Sequence, residues 1–152
     1  MNKEILHTKQ ELVNLCRDTQ LRMVESEKTA MNEAQSALND YGPNKDRYDS
    51  FRDQLLGRRD MFANQYQKAL ADLNVLEKIN CNEQKEKVEF GAISISDISK
   101  LIIAISSGKM EHNGDTYYAI SPAVPLYKVR EGLKAGDSFE FNGKKQVIKE
   151  LF

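Results

Sequence analysis

Asp40-Tyr41-Gly42-Pro43-Asn44-Lys45-Asp46-Arg47-Tyr48-Asp49 is the stretch that decides how the rest of the chain folds. Proline has no amide proton and pushes the residue before it out of helical geometry, so a helix arriving at Gly42 must stop there. Residues 2–39 contain neither Pro nor Gly, and Glu, Lys, Gln, Leu, Met and Ala dominate, the composition of a strong helix former. A second helix-favouring run follows the break. Two helices joined by a short turn are antiparallel neighbours, so residues 40–49 are expected to be the tip of a helical hairpin. Asp46 and Asp49 stand three apart, which sets two carboxylates on one side of a helix begun after Pro43.

The apolar periods support the same arrangement. In the first arm Ile5, Leu12, Cys16, Met23, Ala30, Ala34 and Ala37 form a narrow stripe, which suits a coiled-coil seam better than the wide face of a core helix. In the second, Tyr48, Leu55, Phe62, Ala69 and Leu76 recur at intervals of seven, with Phe51, Tyr66, Leu73 and Ile79 beside them. A sustained seven-residue repeat implies a left-handed supercoil with a partner helix, here the first arm. At ~1.5 Å per residue each arm is expected to be roughly 45 to 55 Å long. Gly57 is a weak point, costing up to about 1 kcal/mol relative to Ala. The hairpin is thus expected over residues 1–79, and the polar run 80–87 reads as a linker.

After Lys87 the pattern changes to short β-rich runs. Residues 88–95 and 101–105 read as strands. Two further pairs of runs are each joined by an Asn-Gly dipeptide, Asn113-Gly114 and Asn142-Gly143, which supplies the positive φ that a two-residue hairpin turn needs. Between them, residues 125–132 can form a short helix, with Pro125 in its first turn and Gly132 ending it. Residues 88–152 are therefore expected to form a small antiparallel sheet covered by one helix, and the whole chain is α+β.

Composition narrows the function classes. The formal net charge of -1 argues against general binding to nucleic acid, which requires clustered positive charge, so free DNA is not an expected partner. Cys16 and Cys81 form no C-x-x-C and have only His7 and His112 for company, so no structural zinc site is expected. No run of 18 apolar residues and no leading apolar region occurs; no membrane association is expected, and the cytoplasm is the expected location.

The segment Ile120-Ser121-Pro122-Ala123-Val124-Pro125-Leu126, followed by the Gly136-Asp137 turn, resembles the Ile-Ser-x-x-Ser-Pro-Leu-Gly segment and Gly-Asp turn of the Gre family of bacterial transcription elongation factors. The spacing from Ile-Ser to Gly-Asp agrees without a gap. Glu89-Phe90-Gly91-Ala92 and the closing hairpin over 139–151 resemble the family's FKBP-like C-terminal domain. The resemblance implies a coiled coil that enters the secondary channel of RNA polymerase and an FKBP-like domain that docks on the channel rim. It also implies acidic tip residues that help hold a Mg2+ shared with the polymerase, so that the polymerase cleaves backtracked RNA. A carboxylate is a suitable hard ligand for that ion. The chain itself would be a factor rather than an enzyme, with no intrinsic cofactor.

This sequence departs from the family at the tip. Setting the Tyr of the family's Asp-Leu-x-Glu-Asn-x-Glu-Tyr motif on Tyr48 places Tyr41, Asn44 and Lys45 at the Asp, Glu and Asn positions. Asp46 and Asp49 are then the candidate catalytic and metal-binding carboxylates; acidic residues in the first turn of a helix also meet its dipole favourably. Lys45, Arg47, Tyr48, Arg58 and Arg59 are candidates for contact with the polymerase or the RNA 3′ end. Pro122, Pro125 and Leu126 are candidates for docking on the rim, with Ala123-Val124 replacing the family's polar pair. Two other functions suit parts of this pattern. A coiled-coil adaptor or self-association module would use the hairpin without polymerase. A prolyl isomerase would need Tyr117, Tyr118, Phe139 and Phe141 to line a pocket, but aromatics alternating along strands are ordinarily sheet core. Neither cysteine lies near a histidine in sequence, which leaves no evident oriented nucleophile for a conventional enzyme.

Overall fold

The structure, a computed structural model, describes residues 2–152. The elements in order are α1 (Lys3–Tyr41), α2 (Ser50–Leu76), β1 (Ile93–Ser96), β2 (Lys100–Ile103), β3 (Gly108–His112), β4 (Asp115–Ile120), α3 (Pro125–Lys128), β5 (Ser138–Phe141) and β6 (Lys144–Leu151). The class is α+β. The chain divides into two compact units, Met1–Thr19 with Val75–Phe152, and Gln20–Asn74. The 1–79 span expected as one hairpin is shared between them.

In the first unit six strands lie in the order β3-β4-β2-β1-β6-β5. Every pairing is antiparallel except β2 with β4, which is parallel with Ile102 opposite Ala119. The sheet is therefore mixed. Both Asn-Gly pairs turn as expected, with φ 51° and 81° at Asn113 and Gly114 and 53° and 76° at Asn142 and Gly143. Residues 88–92, expected to open a strand, instead make a turn, because Gly91 takes φ 88° and reverses the chain before β1 begins.

The sheet is buried on both faces, which is why β2 reads Leu-Ile-Ile without alternation. Ile102 and Ile93 point into a core shared with Leu12, Val13 and Cys16 of α1 and with Leu76 and Ile79. Leu101 and Ile103 point to the other face, against Val88, Tyr127, Phe139 and Ile148. The expected linker is packed into this unit: buried Lys9 donates from Nζ to the Glu83 carbonyl at 2.7 Å, and Lys85 pairs with Glu83 and Glu89 at 3.2 and 3.3 Å.

The second unit is an antiparallel pair of helices, since Gln20 donates to the Ala69 carbonyl at 2.8 Å while Arg59 donates to Gln35 Oε1 at 3.2 Å. Its seam on α1 runs Gln20, Val24, Glu27, Met31, Ala34, Leu38 and Tyr41, in steps of four and three. On α2 it runs Arg52, Leu55, Arg59, Phe62, Tyr66, Ala69 and Leu73. The expected frame was one residue out in places: Met23 is 49% exposed and Ala37 is exposed, while Val24 and Leu38 are buried. Polar residues at seam positions, Gln20 and Glu27 on α1 and Arg52 and Arg59 on α2, break the apolar pattern that a reading of sequence follows. No helix among the described residues is long and apolar enough to cross a membrane.

Candidate functional site

The hairpin turn is organised by Asp49. Gly42 ends α1 with φ 83°, and its amide bonds to the Leu38 carbonyl at 3.0 Å, a left-handed C-terminal cap. Asp49 then caps α2, because its Oδ1 accepts the Arg52 amide at 3.1 Å, satisfying one of the free donors of the first turn. The same carboxylate accepts the Lys45 amide at 2.9 Å on Oδ2 and faces the Tyr41 hydroxyl at 2.9 and 2.8 Å. Arg52 Nε closes the ring by donating to the Gly42 carbonyl at 3.0 Å. The Lys45 amide first, with the Tyr41 hydroxyl and the Arg52 amide, holds the Asp49 carboxyl below its ordinary pKa, and the carboxylate in turn raises that of Tyr41.

Asp46 does not share this arrangement. It is exposed, and its Oδ1 accepts the Tyr48 amide at 2.9 Å, a local turn of the kind Asp favours. Asp49, by contrast, is buried at 8% exposure, and meeting a metal ion would require its oxygens to leave Tyr41 and two amides. Among the described residues no group of three or more His, Cys, Asp or Glu side chains is placed to hold a metal ion.

The remaining sequence-predicted tip residues separate into two settings. Lys45 Nζ lies 5.0 Å from the Tyr41 ring centre, and the Arg47 guanidinium 5.5 Å from that of Tyr48. Tyr48 is 81% and Phe51 54% exposed. Both were expected in the second-arm repeat, but Tyr48 precedes the cap and the seam begins at Arg52. Arg58 stacks over Phe62 at 5.8 Å and borders a groove of about 120 Å³ between Ala30, Ala34 and Ala37 of α1 and Leu55 and Phe62 of α2. Arg59 is at a seam position, bonded to Gln35 and paired with Asp60 at 2.9 Å.

In the sheet unit Pro122 is exposed, Pro125 occupies the first turn of α3, and Leu126 is half-buried against the core that contains Tyr127 and Phe139. Tyr117 and Phe139 are buried and Tyr118 is 44% exposed, an ordinary alternation along strands. Sequence reading missed Tyr41, Phe51 and Arg52 as tip-organising residues. The signal available was an N-cap pattern, an Asp directly before the second helix.

Fold and tip together define an α+β protein with a helical-hairpin unit that ends in a braced turn. No family model matches the chain, and no curated protein matches it. Among solved structures it is similar to the GreA factor homolog 1 (Gfh1) protein of Thermus thermophilus, at 14% identity over 90% of this chain and 94% of that one, with a TM-score of 0.34. It is also similar to a structure of the transcription factor Gfh1, at 15% identity over 88% and 89%, again with a TM-score of 0.34.

Proposed function

We propose that the chain is a cytoplasmic RNA polymerase-binding factor whose hairpin enters the polymerase's secondary channel and modulates transcription. The observation that carries this reading is the brace at Asp49. Two amides and a phenol tied to one carboxylate keep an exposed turn in one shape, so little ordering entropy is lost when it is received by a partner. The resemblance of residues 120–137 to the Gre segment supports the sheet unit as the docking part, through Pro122, Pro125 and Leu126. In this reading Asp46 is the carboxylate free to meet a Mg2+ held by the polymerase, and Asp49 serves first to shape the tip. Lys45, Arg47, Tyr48 and Arg58 face the channel or the RNA 3′ end, while Arg59, expected with them, is held in the seam by Gln35 and Asp60.

A pull-down with core polymerase, with and without a second occupant of the channel, tests the reading. Binding that the occupant abolishes is expected. Binding that the occupant leaves unchanged would favour a coiled-coil adaptor, and no binding at all would end the proposal. Incubation with a backtracked polymerase complex tests the tip: if Asp46→Ala and Asp49→Ala both leave stimulated transcript cleavage intact, neither carboxylate serves a metal.

A further inference from the structure

We infer that β3 is a pairing edge for a second copy of this chain, the two β3 strands meeting antiparallel about Met110 with Lys109 of each opposite Glu111 of the other. This goes beyond the proposed function and does not rest on it. β3 ends the sheet, and among the described residues its strand partner is β4 alone. His112 and Asp115 flank the two-residue Asn113-Gly114 turn, and in such a hairpin the flanking residues exchange both of their backbone hydrogen bonds. Bonded and non-bonded pairs alternate from there. Met110 is therefore bonded to Tyr117, while Lys109 and Glu111, opposite Tyr118 and Thr116, turn their amides and carbonyls away from β4. Among the described residues no backbone hydrogen bond joins either of them to another segment.

A lysine on an open edge ordinarily keeps other strands away, and Lys109 alone would act so. Glu111, two residues on, reverses the sign of the encounter when the arriving strand is the same sequence. A twofold interface is self-complementary, so antiparallel pairing about Met110 sets each Lys109 opposite the other copy's Glu111. The same register joins the outward amides of one copy to the outward carbonyls of the other. Lys109 Nζ lies 3.6 Å from Glu111 Oε1 within one chain, with the side chains 58% and 72% exposed, so each charge has room for a second partner. Tyr118, on the same face of the sheet as Lys109, is also exposed, and a second strand meets no covering element there. The opposite edge offers no such match. β5 reads Ser138-Phe139-Glu140-Phe141, with Glu140 its single charge, and two copies of it bring no opposite charges together.

Sedimentation velocity of the full chain from about 10 µM to 1 mM, a span that covers weak and transient complexes, should show a monomer passing to a dimer. Lys109→Glu, and separately Glu111→Lys, sets like charges opposite each other on both sides of the twofold and should weaken the dimer by about 5- to 100-fold. An equimolar mixture of the two variants should recover dimerisation, because the substituted positions then face each other with opposite charge, as do the unchanged ones. Amide exchange read by NMR should slow at Lys109 and Glu111 as concentration rises. Both side chains are exposed, so each variant should keep the wild-type circular dichroism. The inference is overturned by a monomer at about 1 mM chain, by a mixture that associates no better than either variant alone, or by a dimer equally strong in both single variants, which would assign self-association to the hairpin. No polymerase is present, so this result and the pull-down fail independently.

Discussion

The Tyr41 hydroxyl lies 2.9 and 2.8 Å from the two carboxylate oxygens of Asp49, so one phenolic proton is shared between them and the end of α1 is fastened to the start of α2. Asp49→Ala removes both this link and the helix cap. Faster hydrogen exchange at the Lys45 and Arg52 amides is expected, with Tyr41→Phe giving a smaller effect of the same sign. Because the folded-state pKa of Asp49 is lowered, its contribution is present above the unfolded value of about 3.9. It is lost as the pH falls through the lower folded value. Wild-type tip protection should therefore persist at pH about 5, above both values, and fail on further acidification.

The seam frame gives a second expectation. Leu38 is 6% and Met23 49% exposed. Leu38→Ala should cost about 2–5 kcal/mol by cavity formation, whereas Met23→Ala should change stability by no more than about 0.5 kcal/mol. Urea denaturation of the two variants checks the assignment; equal losses would place both residues outside or inside the seam together.

Glu11 links the two histidines of the chain. One oxygen meets His7 Nε2 at 2.8 Å and the other meets His112 Nε2. The hydrogen bond to His112 is the largest influence holding the Glu11 carboxyl below its ordinary pKa. By the sign of that shift, the carboxylate contributes stability above the unfolded value of about 4.3, and loses it as pH falls through the lower folded value. Glu11→Gln should be less stable than wild type at neutral pH and should lose stability less steeply below pH about 4. Urea midpoints measured across that range test it.

Arg130 is fully buried, and its Nε, Nη1 and Nη2 have no hydrogen-bond partner among the described residues. Its guanidinium stacks 4.3 Å from the Phe139 ring centre, and burial pushes its pKa down to about 10. An uncompensated buried charge costs more than the ring attraction of about 2 kcal/mol returns. Arg130→Met, which keeps the length and the contact with the ring, should raise stability by about 1–2 kcal/mol. A lower urea midpoint for the variant would show that the charge is better accommodated than its unpaired donors indicate.

Much of the architecture could be read locally. Gly42-Pro43 stops a helix by covalent geometry, each Asn-Gly pair turns a hairpin because its residues accept positive φ, and the change from long to short periods marks where helices give way to strands. These are properties of a few adjacent residues. The coiled-coil frame was less legible, because Gln20, Glu27 and Arg59 occupy seam positions that an apolar count passes over, and only the partner helix fixes the phase. The tip was the least legible. Asp46 and Asp49 are the same residue type three positions apart, yet one is exposed and the other is a buried cap.

What the sequence determined alone is where the backbone must break and turn, since Pro, Gly and Asn-Gly act through their own dihedral preferences. The tertiary structure alone decided how Leu12, Val13 and Cys16 of α1 came to share a core with the sheet, how β2 came to lie parallel to β4, and how Asp49 came to be occupied by Tyr41, Lys45 and Arg52. Each of these depends on groups that meet only when separate segments pack, and burial assigns a side chain its partners in a way that its neighbours in sequence do not.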